Sequence, residues 1–208
     1  MKGAAGGFDE LLAILEEARD LGFLGPGPVE RHVEQAERFV KRCPREPRLA
    51  LDLGTGAGIP GLVLAMTWPA SRWVLLDANE RRTGFVRAVI ARLGLSDRVE
   101  VLRARAEEAA HMPTWRERVD TVVSRSFGRP AVVAECAAGF LAPGGLLLVS
   151  EPPPGEETGP SRWPEDQLEV LGLVLRVGHG PVVVLEKTGS CPARFPRRVG
   201  IPAKRPLF

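Results

Sequence analysis

An open, doubly wound α/β sheet is the fold class that this sequence predicts, and three observations predict it. Between Leu49 and Ser150 short apolar runs alternate with amphipathic segments, the pattern of βαβ units and a parallel sheet. The stretch "LDLGTGAGIPG" (Leu51 to Gly61) stands where the first of these runs gives way to the first amphipathic segment. Ligands bind at that turn in such sheets. The last two apolar runs are joined by "GHGP" (Gly178 to Pro181), too short for a crossover, so that pair forms an antiparallel hairpin.

The elements follow in order. Apolar Leu11, Leu12, Leu15, Ala18 and Leu21 recur at helical spacing from about Phe8 to Leu21, and "GFLGPGP" (Gly22 to Pro28) stops that helix. A second helix opens at Pro28, where proline is favoured, and runs to about Cys43 with Val33, Ala36, Phe39 and Val40 on one face. "PREP" (Pro44 to Pro47) links it to the sheet. Strands are expected at Leu49–Leu53, Trp73–Asp77, Val99–Leu102, Thr121–Ser124, Gly145–Ser150, Leu173–Val177 and Val182–Glu186. Helices are expected at Ile59–Thr67, Glu80–Leu93, Glu107–Ala110, Pro130–Leu141 and Glu165–Leu171. The Pro-, Gly- and Glu-rich stretch Pro152 to Pro164 reads as a mobile loop. The result is a Rossmann-like, mostly parallel seven-stranded sheet ending in an antiparallel hairpin. Three regions are expected: a helical extension (1–45), the α/β domain (46–189) and a basic tail packed on or beside it (190–208).

Composition bounds the function. The chain has 208 residues, a net charge of +2 and 26% charged residues, so any contact with a polyanion comes from a local patch. Three cysteines without CxxC spacing argue against a disulfide framework or a zinc site and for a reducing cytoplasm. No metal site is expected. No apolar run reaches the length of a membrane span, and "MKGAAGGFDELL" turns acidic at once, unlike a signal peptide.

The glycine loop separates two cofactors. Gly54, Gly56 and Gly58 permit a tight turn and close approach of a ligand to the backbone. Its spacing is Asp52-x-Gly54-x-Gly56-x-Gly58. NAD also uses such loops, but a carboxylate two residues before the first glycine repels a pyrophosphate. It suits the cationic amino end of S-adenosyl-L-methionine (SAM). Asp77 and Ala78 close the second strand, where an acid grips ribose hydroxyls. The reading is a SAM-dependent methyltransferase.

Beyond this loop, "VLLDANERRTGFVRAV", "RAEE", "VVSRSF" and "FPRRVGIPAKRPL" together resemble the bacterial 16S ribosomal RNA guanine-N7 methyltransferase family, also known as glucose-inhibited division protein B. The likeness runs from Leu49 to Phe208. It implies a class I methyltransferase fold and cofactor contacts at Gly54, Ile59, Ala106, Glu107 and Arg125. With Ser124, Arg125 would form the catalytic end of the fourth strand. The resemblance further implies a ribosomal RNA or small-subunit partner, a monomer, and RNA contacts at Arg31 and His32.

The chemistry agrees with that acceptor. Guanine N7 carries a lone pair and no proton, so its methylation requires alignment and no general base. "SRSF" lacks the Asp/Asn-Pro-Pro-aromatic motif of amino-group methylation. No cysteine ends the fourth or fifth strand, where cytosine C5 methylation needs a nucleophile; Cys136 lies within a helix and reads as core. His111 and His179 fall in loops and read as solvent-exposed. From Ser190 to Phe208 the tail carries Arg194, Arg197, Arg198, Lys204 and Arg205 and no acid. Such a strip suits phosphate, and Arg197, Arg198, Lys204 and Arg205 are the expected contacts.

Three departures from the resemblance bear on the acceptor. "ARDLGFLGPGP" replaces the family's Trp-Asn and Asn-Leu-Thr segment. Gln35-Ala36 replaces Asp-Ser after the Arg-His pair. Glu151-Pro152 replaces Lys-Gly after the fifth strand, a charge reversal beside the acceptor crevice. Glu151 would therefore turn away, pair with a cation such as Arg129 or Arg31, or contact a small or cationic acceptor. Three functions stay open: RNA guanine-N7 methylation, methylation of another RNA or small-molecule acceptor, and non-catalytic RNA or ribosome binding.

Overall fold

The computed structural model describes residues 3–152 and 162–208, apart from the side chains of residues 3–6. Most of the Pro152 to Pro164 stretch, read above as a mobile loop, lies outside the described residues. Among the described residues seven strands form one sheet: β1 (Leu49–Leu53), β2 (Arg72–Asp77), β3 (Val99–Arg103), β4 (Val119–Ser124), β5 (Leu141–Ser150), β6 (Leu173–Val177) and β7 (Val182–Lys187). Their order is β3-β2-β1-β4-β5-β7-β6. The first five strands pair in parallel, and β7 pairs antiparallel with both β5 and β6. The order reverses between β1 and β4, so the carboxyl ends of those two strands flank the switch-point crevice.

Among the described residues eight helices accompany the strands: α1 (Gly3–Asp20), α2 (Val29–Arg42), α3 (Gly61–Thr67), α4 (Glu80–Arg92), α5 (Ala106–Ala109), α6 (Pro130–Ala138), α7 (Glu165–Glu169) and α8 (Ile201–Lys204). One sheet face packs Phe39, Leu62, Trp73 and Val86 into a core. The other packs Ala134, Phe140, Trp163, Leu168 and Phe195. The central strands are buried on both faces and therefore read as near-continuous apolar runs.

The first two helices belong to one of these layers. α2 buries Val29, Val33, Ala36 and Phe39 and packs on α3, β5 and β7. Each such large apolar side chain contributes roughly 1.5–3 kcal/mol on burial. α1 approaches α3 closely at Gly7, where a Cβ would stand 3.3 Å from Met66 Cε. Arg92 of α4 clasps α1 through Glu10 and Glu17, both at 2.8 Å.

Element ends differ from the sequence expectation for local reasons. Helix α3 begins at Gly61, not Ile59, because Gly58 holds φ +95 and keeps the chain out of helical geometry. Helix α6 stops at Ala138, not Leu141. Leu141 instead pairs with Val119, so β5 starts four residues before the expected Gly145. The sequence "APGG" reads as a turn, and strand pairing overrides it. Helix α1 begins at Gly3 rather than Phe8, despite the poor helical propensity of "GAAGG".

The tail is stitched to the domain. Lys187 is fully buried and donates to the Ala138 carbonyl at 2.8 Å and to Glu117 Oε1 at 3.4 Å. Burial pushes its pKa below the ordinary value. Glu117 Oε1 also accepts from the Cys191 amide at 2.9 Å. Arg116 donates to the carbonyls of Cys191 and Phe195, both at 2.8 Å. His111 is exposed, yet its Nε2 lies 2.8 Å from the Pro196 carbonyl. Cys136 is buried in α6, where burial raises its thiol pKa out of reactive range.

Candidate active-site cleft

The glycine loop is organised from below by one carboxylate. Asp52, at the end of β1, is fully buried. Its Oδ2 accepts from Thr55 Oγ1 at 2.7 Å and from the Gly61 amide at 2.9 Å. Gly61 must lack a side chain, since a Cβ there would overlap Leu75 Cδ2 and stand 2.8 Å from Asp52 Oδ2. Asp52 Oδ1 is buried without a hydrogen-bond partner. Burial raises this carboxyl's pKa to about 6, against the hydrogen bonds from Thr55 and Gly61, which lower it.

A second carboxylate holds the loop from the side. Asp77, at the end of β2, accepts from the Gly56 amide at 3.0 Å and from the Asn79 amide at 2.8 Å. Asn79 caps α4 by accepting from the Arg82 amide at 3.1 Å, a bond worth about 1 kcal/mol. A Cβ on Gly56 would meet nothing nearer than the Gly54 carbonyl at 3.9 Å, so the cradle is open there. An open backbone cradle with the buried Asp52 carboxyl beneath it fits a cofactor with a cationic amino end. It does not fit a pyrophosphate.

Above the loop lies a cleft of about 1130 Å³. Its floor is Gly54, Gly56, Ile59 and Ser124, and α2 supplies His32, Gln35 and Arg38 to one wall. Arg125, after β4, donates to Gln35 Oε1 at 3.0 Å. Burial pushes its pKa below the ordinary value, while Asp52 pulls the other way. Neither His32 ring nitrogen makes a hydrogen bond. Burial and the charge of Arg125 push its pKa down, opposed by the nearby Gly25 backbone. Phe127 lies over Gly54, where a Cβ would overlap its ring. Among the described residues, four arginines (Arg38, Arg82, Arg125 and Arg162) and one carboxylate, Glu151, line this cleft.

A sequence model of the family described as rRNA small subunit methyltransferase G matches residues 28–151. The chain belongs to the rRNA small subunit methyltransferase G family. It is 36% identical over 183 residues to "Ribosomal RNA small subunit methyltransferase G" of Parasynechococcus marenigrum (strain WH8102), covering 80% of this chain and 70% of that one. A relative of the same name from Syntrophomonas wolfei is 34% identical, with 88% of this chain and 87% of that one covered. The fold is also that of the O-methyltransferase from Bacillus cereus solved in complex with SAH. The TM-score is 0.59 at 17% identity, over 87% of this chain and 91% of that one. The protein is a SAM-dependent methyltransferase, as its glycine loop implies.

Against that identity the expected site residues divide. Gly54, Gly56, Ile59, Ser124, Arg125, His32 and Glu151 line one cleft. Asp52, Gly58 and Asp77 support its floor, and Ala78 is exposed just beyond Asp77. Ser124 is fully buried, and its Oγ donates to the Leu53 carbonyl at 3.4 Å, which ties it to the floor of the cleft. Other expected residues have partners or places outside this lining. Glu107 holds the tail, accepting from the Gly200 amide at 2.9 Å. Glu107 lines a separate cleft with Arg194, Arg197 and Arg198, and neither it nor Ala106 lines the main one.

Arg197 is not free for phosphate. It is bound to Glu135 of α6 through Nη2–Oε2 at 2.6 Å, Nε–Oε1 at 2.9 Å and its own amide at 2.7 Å. Glu135 is fully buried and needs the cation. Arg198, Lys204 and Arg205 are exposed, and Arg31 is exposed on α2. Glu151 pairs with Arg162 at 3.1 Å, not with Arg129 or Arg31. Arg38, Arg82, Phe23, Leu24 and Arg162 line the cleft and were missed. Arg38 was within reach, since His32, Gln35 and Arg38 recur every three residues on one helix face.

Proposed function

We propose that the protein methylates guanine N7 in the RNA of the small ribosomal subunit, acting as a monomer. The observation that carries this reading is the charge of the cleft, where, among the described residues, four arginines meet one carboxylate that is already paired. The two relatives above carry the rRNA methyltransferase name and support the same acceptor class.

Bound SAM supplies an electrophilic sulfonium methyl group. The chain's own residues do the rest. The loop from Gly54 to Gly58 would cradle the amino-acid end above the buried Asp52, and Asp77 would take the ribose hydroxyls. Arg125 is a donor without acceptor capacity, so it suits guanine O6 and leaves the N7 lone pair to react. His32, kept neutral by burial and by Arg125, adds no charge against the cationic product. No residue has to remove a proton, so the rate rests on alignment. The exposed tail cations Arg198, Lys204 and Arg205 contact phosphates away from the reacting base.

The test is transfer of labelled methyl from SAM to small-subunit RNA from cells lacking the gene, followed by nucleoside analysis. The expected product is 7-methylguanosine. Label in another nucleoside would move the acceptor atom. SAM binding without transfer to any RNA would favour a non-catalytic or small-molecule role.

A further inference from the structure

The wall opposite the glycine loop holds an ion pair that the reaction described above does not use. Glu151 follows β5, and its amide donates to the Pro181 carbonyl at 3.0 Å. Its side chain is 12% exposed. Both carboxylate oxygens are engaged: Oε1 accepts from Trp163 Nε1 at 3.1 Å, and Oε2 faces Arg162 Nη1 at 3.1 Å. Trp163 is 3% exposed and sits in the core beneath, which fixes the carboxylate from one side. Arg162 is 36% exposed at the side chain and lines the cleft.

We infer that Arg162 is an anion-binding residue that grips a phosphate of the acceptor RNA, and that Glu151 is the positioning residue that aims it. The inference rests on the RNA reading above. A guanidinium carries five donors in a planar fork, and the Glu151 contact engages one nitrogen, Nη1. The same guanidinium can thus bridge a carboxylate and a phosphate, with bidentate geometry toward the latter. An unpaired Glu151 at this wall would repel a polyanion. Pairing it with Arg162 removes that repulsion, and the N–H groups of Arg162 outside the pair stay available to a phosphate in the cleft that Arg38 and Arg125 also line. The carboxylate end of the pair is largely buried and fixed by Trp163, while the guanidinium end is exposed to the cleft and free to meet a ligand there. Glu151 itself has no free oxygen for an acceptor and acts through Arg162.

The experiment compares wild type, Arg162→Gln, Arg162→Lys, Glu151→Gln and the double variant Glu151→Gln/Arg162→Gln on small-subunit RNA. Steady-state kinetics, RNA affinity against salt and SAM affinity are measured for each. Arg162→Gln should raise KM about ten-fold with kcat within about two-fold. It should also flatten the log–log salt slope of RNA affinity by about 0.7–0.9, the loss of one phosphate contact. SAM affinity should stay unchanged, which also reports folding. Arg162→Lys should restore the salt slope and part of KM, because a point charge replaces a fork. Glu151→Gln should raise KM while Arg162 is present, and should lower it again in the Arg162→Gln background, where it removes an unpaired carboxylate. An unchanged salt slope in Arg162→Gln, or additive effects in the double variant, would overturn the inference while leaving the RNA reading intact. Failure of the wild type to bind or methylate the RNA would overturn both.

Discussion

Replacing Asp52 by asparagine separates the cost of burying its charge from the use of that charge. The carboxyl is fully buried, with Oδ1 unpartnered. Burial raises its pKa from 3.8 to about 6. An acid whose folded-state pKa lies above its unfolded value stabilises the fold while protonated. That contribution is complete below about pH 4 and is lost as pH rises through about 6. About two pKa units, at about 1.4 kcal/mol each, come to about 3 kcal/mol. Asparagine keeps an oxygen for Thr55 and Gly61 but does not titrate. Its buried amide nitrogen costs about 1–3 kcal/mol at every pH, which shifts the level and not the slope. Urea unfolding of both proteins from pH 4 to pH 8 is the assay. The stability difference should move about 3 kcal/mol in favour of Asp52→Asn between pH 4 and about 7, then stay flat. All other titrating groups are shared and cancel in the difference. SAM affinity, by calorimetry, should move the opposite way and fall by on the order of 1–2 kcal/mol, as the through-space attraction between a negative charge beneath the cradle and the cationic amino end is lost. Parallel pH profiles would refute the buried, raised carboxyl. Unchanged SAM affinity would refute Asp52 as the counter-charge of the cofactor.

Gly61→Ala places a Cβ against Leu75 and 2.8 Å from Asp52 Oδ2. We expect a loss of about 1–3 kcal/mol from overpacking, read by thermal unfolding, together with loss of SAM binding; full stability with normal binding would contradict it. Asp77→Ala releases the Gly56 amide and should weaken SAM by roughly 1.5–3 kcal/mol without creating NAD binding. Measurable NAD affinity would contradict the cofactor assignment. Arg197→Ala strands the buried Glu135 and should cost about 3–5 kcal/mol of stability. By contrast, Arg198→Ala with Lys204→Ala and Arg205→Ala should leave stability alone and flatten the RNA salt slope by about 0.7–0.9 per charge. If Arg197→Ala changed the slope and not the stability, the tail assignment would be reversed.

The sequence by itself determined the fold class, the cofactor and the cradle. Each is written in local or short-range terms. Strand and helix periodicity from Leu49 to Ser150 follows from which faces are buried, and the "GHGP" loop is too short for anything but a hairpin. Asp52, Gly54, Gly56 and Gly58 lie within seven residues, so backbone stereochemistry and charge decide their use together. Tertiary structure alone decided the rest, because it depends on which distant groups meet. β7 inserts between β5 and β6, a choice of strand pairing that no loop length specifies. Leu141 joined β5 because Val119 offered it a partner. Arg197 reads as a phosphate contact in a tail without acids, until Glu135, buried 62 residues away in sequence, is seen to require it. Glu151 reads as a charge reversal that needs a cation such as Arg129 or Arg31 if RNA is the acceptor, and the fold supplies Arg162 instead. A side chain's charge is legible in sequence. Its partner is not, because an ion pair is chosen by proximity in the folded chain, and desolvation leaves a buried carboxylate such as Glu135 no stable alternative to the cation that the fold brings to it.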